Sequence, residues 1–325
     1  MMVRILVCGA VSDRQIAQMR ETFSVDDFRD EPVNDNPRLE AALAEATALI
    51  NGGLAITPER LDRAPTLRVI ATISVGYDAY PVDELSRRGI LLCNTPDVLT
   101  ETTADTGFAL IMAAGRRVAE LDRFVRQGDW KSGIGPAQFA VDIHGKTLGM
   151  IGLGRIGAAV ARRGALGFGM SVLYSNASQK PELETELGAR HCEMSVLLAE
   201  ADYVCVTVPL VEETVHLIGA AELARMKSTA VFVNISRGKV VDEAALVAAL
   251  QKGQPGAAGL DVFETEPLPA DSPLIGMDNV VLLPHVGSAT HETRDAMAQR
   301  AVDNVCQALS GESPISPVNL ESWRR

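Results

Sequence analysis

The fold is decided by residues 147–157, which read TLGMIGLGRIG. The first half is a short apolar run typical of a buried strand, and Gly152, Gly154 and Gly157 follow it with the spacing GxGxxG. In such a turn the first glycine permits a tight bend, the second lets a pyrophosphate approach the backbone, and the third lets helix and strand pack closely. The helix that begins there offers free N–H groups and a positive dipole to phosphates. The stretch therefore predicts the start of a dinucleotide-binding domain.

Strand-like and helix-like segments alternate on both sides of this turn. Further apolar runs follow it at 170–174, 203–208, 230–235, 257–260 and 280–283. Similar runs precede it at 3–8, 48–50, 68–72 and 90–93. Short apolar runs that alternate with helices and short links are typical of parallel, doubly wound sheets. The pattern predicts an α/β fold with two doubly wound parallel-sheet domains, joined by one long helix over 101–127 that ends at Gly128.

Length and charge bound the function. The chain has 325 residues, enough for about two domains. It is 47% apolar and 22% charged, which is ordinary globular usage, and its net charge is −12. An acidic chain lacks the electrostatic footprint of a general nucleic-acid binder. No apolar stretch approaches the roughly 18 residues of a membrane span. We expect neither a nucleic acid nor a membrane as a partner.

Cysteine and histidine usage argues against disulfides and metals. The five cysteines contain no CxxC pair, which favours a reducing, cytoplasmic compartment. His144, His191, His216 and His291 are scattered, and HExxH is absent, so we expect no metal site.

The end of the second strand of the dinucleotide-binding unit bears on cofactor choice. NAD sites place an acid there, about 20 residues after the glycines, to bind the ribose 2′-hydroxyl. Here the sequence is SVLYSNASQK over 171–180, without an acid. Ser175, Asn176 and Ser178 can donate hydrogen bonds, and Lys180 adds a positive charge. No arginine occurs in the stretch. The pattern favours NADP(H) and leaves NAD(H) open.

Three ionisable residues follow predicted strands of the same block. Arg237 lies in VFVNISRG, Glu266 in DVFETEP and His285 in LPHVGS. Ligands of doubly wound sheets bind beyond the carboxyl ends of the strands, so the three can converge. An arginine binds a carboxylate bidentately, a histidine donates a proton, and a glutamate orients the imidazole. These types suit hydride transfer to a 2-keto acid, although each residue singly is also explained as a solvated loop residue.

Taken together, the segments resemble a known family. GLGRIG (152–157), NISRG (234–238), GLDVFETEP (259–267) and LPHVGSAT (283–290) are similar, in order and spacing, to the signatures of the D-isomer-specific 2-hydroxyacid dehydrogenases. ATISVGYD (71–78) and NTPDVLTETTAD (94–105) extend the resemblance over most of the chain. Within the family, LPHVGSATHETR is most similar to bacterial reductases of glyoxylate, hydroxypyruvate and 2-ketogluconate. The resemblance implies NAD(P)H-dependent reduction of short 2-keto acids to D-2-hydroxy acids, with a histidine as proton donor.

The resemblance also implies the site residues. Arg237, Glu266 and His285 would be catalytic, and the N–H groups of Val75 and Gly76 would bind the substrate carboxylate. Asp261 would bind the nicotinamide carboxamide. With the polar residues after the second strand, the cofactor set comprises Thr103, Gly152, Leu153, Gly154, Arg155, Ile156, Gly157, Ser175, Asn176, Ser178, Pro209, Ile235, Asp261, His285, Gly287 and Ser288.

The family's organisation gives the expected domains. A Rossmann cofactor domain over 101–287 would be inserted into a flavodoxin-like substrate-binding domain formed by 1–100 and 288–325. The family is commonly dimeric through the cofactor domain, so a homodimer is implied. Two alternatives stay open: another oxidoreductase of the family, of the phosphoglycerate or phosphite type, and a dinucleotide-sensing binding protein like the corepressors that share this fold.

Overall fold

Two units make up the part of the chain that the computed structural model describes, residues 3–324. One unit is formed by residues 3–99 and 289–324, and the other is the continuous segment Thr100–Ser288. Each unit holds one fully parallel sheet, of five and seven strands. The predicted fold class, two parallel-sheet α/β units, is confirmed.

Short strands and helices alternate throughout. Before Thr100 the elements are β1 (Arg4–Cys8), α1 (Asp13–Arg20), β2 (Ser24–Asp27), α2 (Pro37–Leu43), β3 (Ala48–Asn51), α3 (Pro58–Asp62), β4 (Val69–Thr72), α4 (Val82–Arg88) and β5 (Leu91–Cys93). The middle segment contains α5 (Thr100–Gly115), α6 (Val118–Arg126), β6 (Thr147–Ile151), α7 (Arg155–Arg162), β7 (Ser171–Ser175), α8 (Pro181–Leu187), β8 (Arg190–His191), α9 (Met194–Glu200), β9 (Tyr203–Val206), α10 (Ala220–Leu223), β10 (Val231–Asn234), α11 (Glu243–Gln251), β11 (Ala257–Leu260) and β12 (Val280–Leu282). The last helix is α12 (His291–Leu309).

The five-stranded sheet has the order β2-β1-β3-β4-β5, which is the flavodoxin-like order. Strands β1, β3, β4 and β5 are largely apolar and buried because both faces of the sheet are covered, whereas the edge strand β2 carries two aspartates. One face packs against α12 through small and branched side chains, namely Ala298, Ala301, Val302, Val305 and Ala308. The other face is covered by α2, α3 and α4. The helix at the far end of the sequence is thus part of the core of the first unit.

The seven-stranded sheet has the order β12-β11-β10-β9-β6-β7-β8. Strand β6, which precedes the glycine turn, lies between β7 and β9, where the direction of winding reverses. In open α/β sheets a ligand binds in the crevice beyond the carboxyl ends of the strands at this reversal. The topology therefore places GxGxxG where a dinucleotide-binding turn is needed.

The prediction of one continuous helix over 101–127 is wrong. Helix α5 ends at Gly115, and α6 begins at Val118 after Arg117 adopts a left-handed conformation with φ 55°. The Arg117 guanidinium donates to Glu120 and to the carbonyl oxygens of Ala137 and Phe139. These bonds stabilise a turn that helical periodicity alone does not reveal.

The described residues bear on disulfides, metal sites and membrane spans. The cysteines are free thiols. Among residues 3–324, no cluster of histidine, cysteine or carboxylate side chains could hold a metal ion. Within the same residues, every helix is too short or too polar to cross a bilayer.

Candidate active site

The glycine turn has the geometry that a pyrophosphate requires. Gly152 has φ 94°, a conformation that L side chains rarely adopt. A Cβ on Gly157 would lie 2.2 Å from the Gly152 carbonyl oxygen, so this position allows only a glycine. A Cβ on Gly154 would meet nothing within 4 Å, so the space beside it is open. The two outer glycines are required by the fold, whereas the open space at Gly154 fits an approaching phosphate group.

The loop after β7 is fixed by hydrogen bonds to its own surroundings. Asn176 Oδ1 accepts a hydrogen bond of 2.7 Å from the N–H of Leu153 in the glycine turn. The Asn176 carbonyl oxygen lies 3.1 Å from His191 Nε2, which must be the donor because a carbonyl only accepts. With its oxygen already engaged, the Asn176 side chain has its amide NH₂ left to offer. The loop thus presents donors, which suit the oxygens of a ribose or a phosphate.

Ser178 and Lys180 complete this loop. The N–H of Lys180 donates to the Tyr174 hydroxyl at 2.7 Å, and that hydroxyl donates to Glu184 at 2.6 Å. Ser178 is exposed and lies between Asn176 and Lys180, which are both hydrogen-bonded. Ser175 is the last residue of β7. The predicted polar set therefore occupies one short loop beside the glycine turn.

The turn after β10 carries Arg237. Asn234 Oδ1 accepts from the N–H of Ser236 at 3.0 Å, and Asn234 Nδ2 donates to the Arg237 carbonyl oxygen at 3.0 Å. The guanidinium of Arg237 donates to the Ser236 carbonyl oxygen at 2.8 Å. The buried Asn234 amide therefore shapes the turn that presents Arg237, a role that the sequence reasoning missed.

Asp261, directly after β11, holds the loop that carries His285. Its side chain is 2% exposed. Its two oxygens accept the N–H groups of Val286 and Gly287, each at 2.8 Å. Burial raises the pKa of the Asp261 carboxyl above its ordinary value, while the two N–H donors act in the opposite direction. The Gly287 Cα lies beside Thr103, so these three predicted cofactor residues are neighbours.

Glu266 and His285 form a direct pair. His285 Nδ1 lies 2.8 Å from Glu266 Oε2, and Glu266 Oε1 accepts the N–H of Phe263 at 3.0 Å. His285 has φ 55°, an uncommon conformation for a residue other than glycine. Because Nδ1 is used by the carboxylate, Nε2 is the nitrogen available to a substrate. The contact with Glu266 thus restricts the orientation of the His285 ring.

The remaining predicted cofactor residues also follow strands of the seven-stranded sheet. Arg155 and Ile156 are in the first turn of α7, Pro209 follows β9, Ile235 follows β10, and Ser288 follows Gly287. All lie in the Thr100–Ser288 unit, as do Arg237, Glu266 and His285.

Val75 and Gly76 lie in the other unit, in the loop after β4. Three successive carbonyl oxygens accept hydrogen bonds there, each at 2.9 Å. The Ser74 oxygen accepts from the N–H of Thr95, and the Val75 oxygen accepts from Asn94 Nδ2. The Gly76 oxygen accepts from the Ser74 hydroxyl. In a trans peptide the N–H points away from the carbonyl oxygen. The N–H groups of Val75 and Gly76 therefore point away from the groups that bind the Ser74 and Val75 carbonyl oxygens. The sequence analysis assigned no role to Asn94, although Asn94 begins the family-like segment 94–105.

The fold and this constellation define a class of enzyme, and comparison with known proteins gives its family. Residues 108–287 match the NAD binding domain of the D-isomer specific 2-hydroxyacid dehydrogenases. The chain belongs to this family.

Particular relatives are similar over nearly the whole chain. The glyoxylate/hydroxypyruvate reductase B of Yersinia pestis (strain Pestoides F) is 51% identical over 302 residues, which cover 93% of both chains. The crystal structure of the NADPH-dependent glyoxylate/hydroxypyruvate reductase of Sinorhizobium meliloti, in complex with NADP and malonate, is 34% identical with a TM-score of 0.87, and the match covers 100% of this chain and 99% of that one. A glyoxylate reductase from Paecilomyes thermophila is 30% identical with a TM-score of 0.87 and covers 98% and 99% of the respective chains.

The family settles the general activity. The chain is an NAD(P)-dependent oxidoreductase of the D-2-hydroxyacid dehydrogenase type, which reduces keto acids. The predicted family, enzyme class and nicotinamide cofactor are confirmed. The open Gly154 cradle and the donors around Asn176 fit such a cofactor.

Proposed function

We propose that this enzyme reduces glyoxylate and hydroxypyruvate with NADPH, giving glycolate and D-glycerate, and that 2-ketogluconate is a further candidate substrate. The observation that carries the proposal is the 2.8 Å pair of Glu266 and His285 in the same unit as the Arg237 turn and the glycine turn. The relatives named for glyoxylate and hydroxypyruvate support the choice of substrates.

Each of the three side chains has a chemical role in this proposal. Arg237 binds the substrate carboxylate through its planar guanidinium and polarises the adjacent carbonyl. A bound nicotinamide supplies the hydride that reaches the carbonyl carbon. His285 Nε2 gives its proton to the carbonyl oxygen as the alkoxide develops. Glu266, fixed by the Phe263 N–H, stabilises the imidazolium before transfer and keeps the ring oriented.

The loop after β4 is the second substrate element of the proposal. The N–H groups of Val75 and Gly76 would bind a carboxylate oxygen as backbone donors do in anion-binding turns. The Asn94 amide supports this role because it fixes the Val75 carbonyl oxygen and so the direction of the Gly76 N–H. We propose the flavodoxin-like unit of residues 3–99 and 289–324 as the substrate-binding domain on this ground.

NADPH is the preferred cofactor in the proposal, with NADH used less efficiently. An aspartate after β7 would repel a 2′-phosphate, and Asn176 stands there instead. Its oxygen accepts the Leu153 N–H, so the side chain offers only donors to the ribose. Ser178 and Lys180 add a hydroxyl and a positive charge. The Sinorhizobium meliloti relative holds NADP.

Steady-state kinetics test the substrate proposal. Loss of NADPH absorbance is followed with glyoxylate, hydroxypyruvate, 2-ketogluconate and 3-phosphohydroxypyruvate. Oxidation of phosphite is tested separately, as the formation of NADPH from NADP⁺. We expect turnover with the first two and D-glycerate as the product of hydroxypyruvate. L-Glycerate, or activity confined to the phosphorylated substrate or to phosphite, would contradict the proposal.

A homodimer is the assembly that we propose, formed through the cofactor-binding unit. None of the residues of α6 is buried, and Val118 and Val125 are exposed on it. The following segment exposes Trp130, Ile134 and Phe139, each by 60% or more. Several large apolar side chains exposed within one short stretch of chain favour a protein interface there. Sedimentation should give a dimer for the parent and a monomer for Trp130→Asp.

The compartment belongs to the same proposal. The five free thiols suit a reducing environment, which supports a cytoplasmic location. Cell fractionation should recover the enzyme with cytoplasmic markers.

A further inference from the structure

We propose that Glu264 and His216 form a positioning pair that holds the Arg237 turn and the Glu266 loop in their relative places. Neither side chain belongs to the site described above. The inference rests on the proposed function for its kinetic effects, but its structural basis is independent of the substrate.

The Glu264 carboxylate joins three segments of one unit. Its Oε1 lies 2.8 Å from His216 Nε2 and also accepts the N–H of Glu243, the first residue of α11, at 3.2 Å. In return, the N–H of Glu264 donates to Glu243 Oε2 at 3.1 Å. Glu264 is therefore tied through its side chain and its backbone to the start of α11, and through its side chain to His216.

His216 lies in the segment 216–218, whose backbone is hydrogen-bonded to the segment 239–242 just after Arg237. Its N–H donates to the Lys239 carbonyl oxygen at 2.8 Å, and the N–H of Ile218 donates to Val240 at 3.1 Å. The N–H of Asp242 donates back to Ile218 at 3.0 Å. The imidazole thus connects the backbone beside residues 239–242 to the loop that carries Glu266.

Gly238 provides the direct contact between these two parts of the site. A Cβ on Gly238 would lie 1.8 Å from the carbonyl carbon of Phe263 and 2.3 Å from the nitrogen of Glu264. The backbone after Arg237 therefore packs without a gap against the peptide that precedes Glu264. A shift of the Glu264 peptide toward Gly238 would therefore press on the turn that carries Arg237 as well as move the loop of Glu266.

The position of the pair in sequence explains its effect. Glu264 is two residues before Glu266, and Gly238 is one residue after Arg237. The Glu264 and His216 side chains are 33% and 50% exposed, and a side-chain pair so accessible to water adds little to stability. The effect of the pair is instead on the positions of the reacting groups. A displacement of about 1 Å in such groups can lower the rate about a hundredfold.

Four variants of the full-length enzyme test the inference. Glu264→Ala and His216→Ala remove the pair, whereas Glu264→Gln keeps an acceptor and His216→Gln keeps a donor. We expect the alanine variants to lower kcat by about 10- to 100-fold and to leave the Kd of NADPH within about twofold of the parent. The glutamine variants should recover most of the loss. The deuterium isotope effect on kcat should rise in the alanine variants, because misplaced groups make the chemical step rate-limiting.

A salt bridge of similar exposure in the same unit serves as the control. Arg162 Nε lies 2.6 Å from Glu186 Oε1 and both side chains are about two-fifths exposed, so Glu186→Ala removes a comparable pair elsewhere. We expect Glu186→Ala to keep the kcat and the isotope effect of the parent. Parent-like kcat and isotope effect in Glu264→Ala would overturn the inference, as would equal losses in Glu264→Ala and Glu186→Ala.

Hydrogen exchange separates this inference from the substrate assignment. In Glu264→Ala, the amides of 236–243 and 261–266 should exchange faster than in the parent, with or without NADPH, whichever keto acid the enzyme accepts. If the parent reduces none of the keto acids but these amides exchange faster, the substrate proposal fails and the positioning role holds. Unchanged exchange in both segments would refute the positioning role.

Discussion

Glu266 is bound at both of its oxygens, one by the His285 imidazole at 2.8 Å and the other by the N–H of Phe263 at 3.0 Å. The carboxylate that orients the histidine is therefore itself fixed to the backbone three residues earlier. A carboxylate held in this way cannot swing with the imidazole, so the ring keeps one orientation and directs Nε2 away from Glu266.

Removing the imidazole should abolish most of the reduction. His285→Ala and His285→Asn are expected to lower kcat by about 10² to 10⁴, the usual effect of losing a general acid. Asparagine is included because it tolerates the left-handed backbone of His285 better than alanine does. Measured kcat with saturating NADPH and glyoxylate checks this, with the melting temperature as the control for folding. Near-parent kcat in both variants would show that another group donates the proton.

Replacing the guanidinium by an ammonium should weaken keto-acid binding. Arg237→Lys keeps the charge but loses the planar pair of donors, so KM for glyoxylate should rise by about tenfold or more. KM for NADPH serves as the internal control and should stay near the parent value. Equal increases in both KM values would indicate a general disturbance of the unit rather than loss of a carboxylate contact.

A single substitution after β7 should change cofactor preference. Asn176→Asp retains an oxygen for the Leu153 N–H, so the turn is preserved. Its second oxygen would repel a 2′-phosphate and bind a free 2′-hydroxyl, which should raise the ratio of kcat/KM for NADH to that for NADPH. Since Lys180 is an accessible charge, we expect a graded shift rather than a complete reversal. A parent enzyme that already prefers NADH would contradict our interpretation of Ser175 to Lys180.

Two glycines of the same turn should respond differently to substitution by alanine, one in stability and the other in NADPH binding. At Gly157 the new Cβ would meet the Gly152 carbonyl oxygen at 2.2 Å, so Gly157→Ala should lower the free energy of unfolding by about 1–3 kcal/mol or more. At Gly154 the Cβ meets nothing within 4 Å, so Gly154→Ala should change that free energy by less than about 1 kcal/mol. It should nevertheless raise the Kd of NADPH by about tenfold, because the methyl group occupies the approach of the pyrophosphate. Denaturant unfolding and fluorescence titration measure the two effects, and unchanged NADPH binding in Gly154→Ala would place the pyrophosphate elsewhere.

The sequence was sufficient for those parts of the fold that local rules determine. Apolar runs such as 147–151 identify buried parallel strands, and the glycines identify the turn that follows. Strand β2 (Ser24–Asp27) was missed because two of its four residues are acidic and it lies at the edge of its sheet. The break between α5 and α6 was missed because Arg117 leaves the helical conformation for partners twenty residues further on.

In the site, too, the sequence predicted which residues matter but not which residues they contact. Arg237, Glu266 and His285 could be named from their places after predicted strands and from the family motifs. The hydrogen bond from the Leu153 N–H to Asn176 Oδ1 could not be predicted, because it joins the ends of two neighbouring strands that are 23 positions apart in the sequence. The contacts of Asp261 with residues 286 and 287 likewise depend on the pairing of β11 with β12.

The helix α12 has a consequence for how the chain acquires its structure during synthesis. Its residues 298–308 supply one side of a core whose other side is β1, β3 and β4, so contacts are made between residues nearly the whole length of the chain apart. On a ribosome, the Thr100–Ser288 segment emerges with every strand of its own sheet and can fold while the first ninety-nine residues still lack a helix to cover that face. The inserted unit is thus the one that can fold first, and the core of the five-stranded sheet is completed only after α12 has been made. Because such distant pairings form slowly, we expect the faces of β3 and β4 that α12 covers to stay exposed during synthesis and to be the surface on which chaperones act.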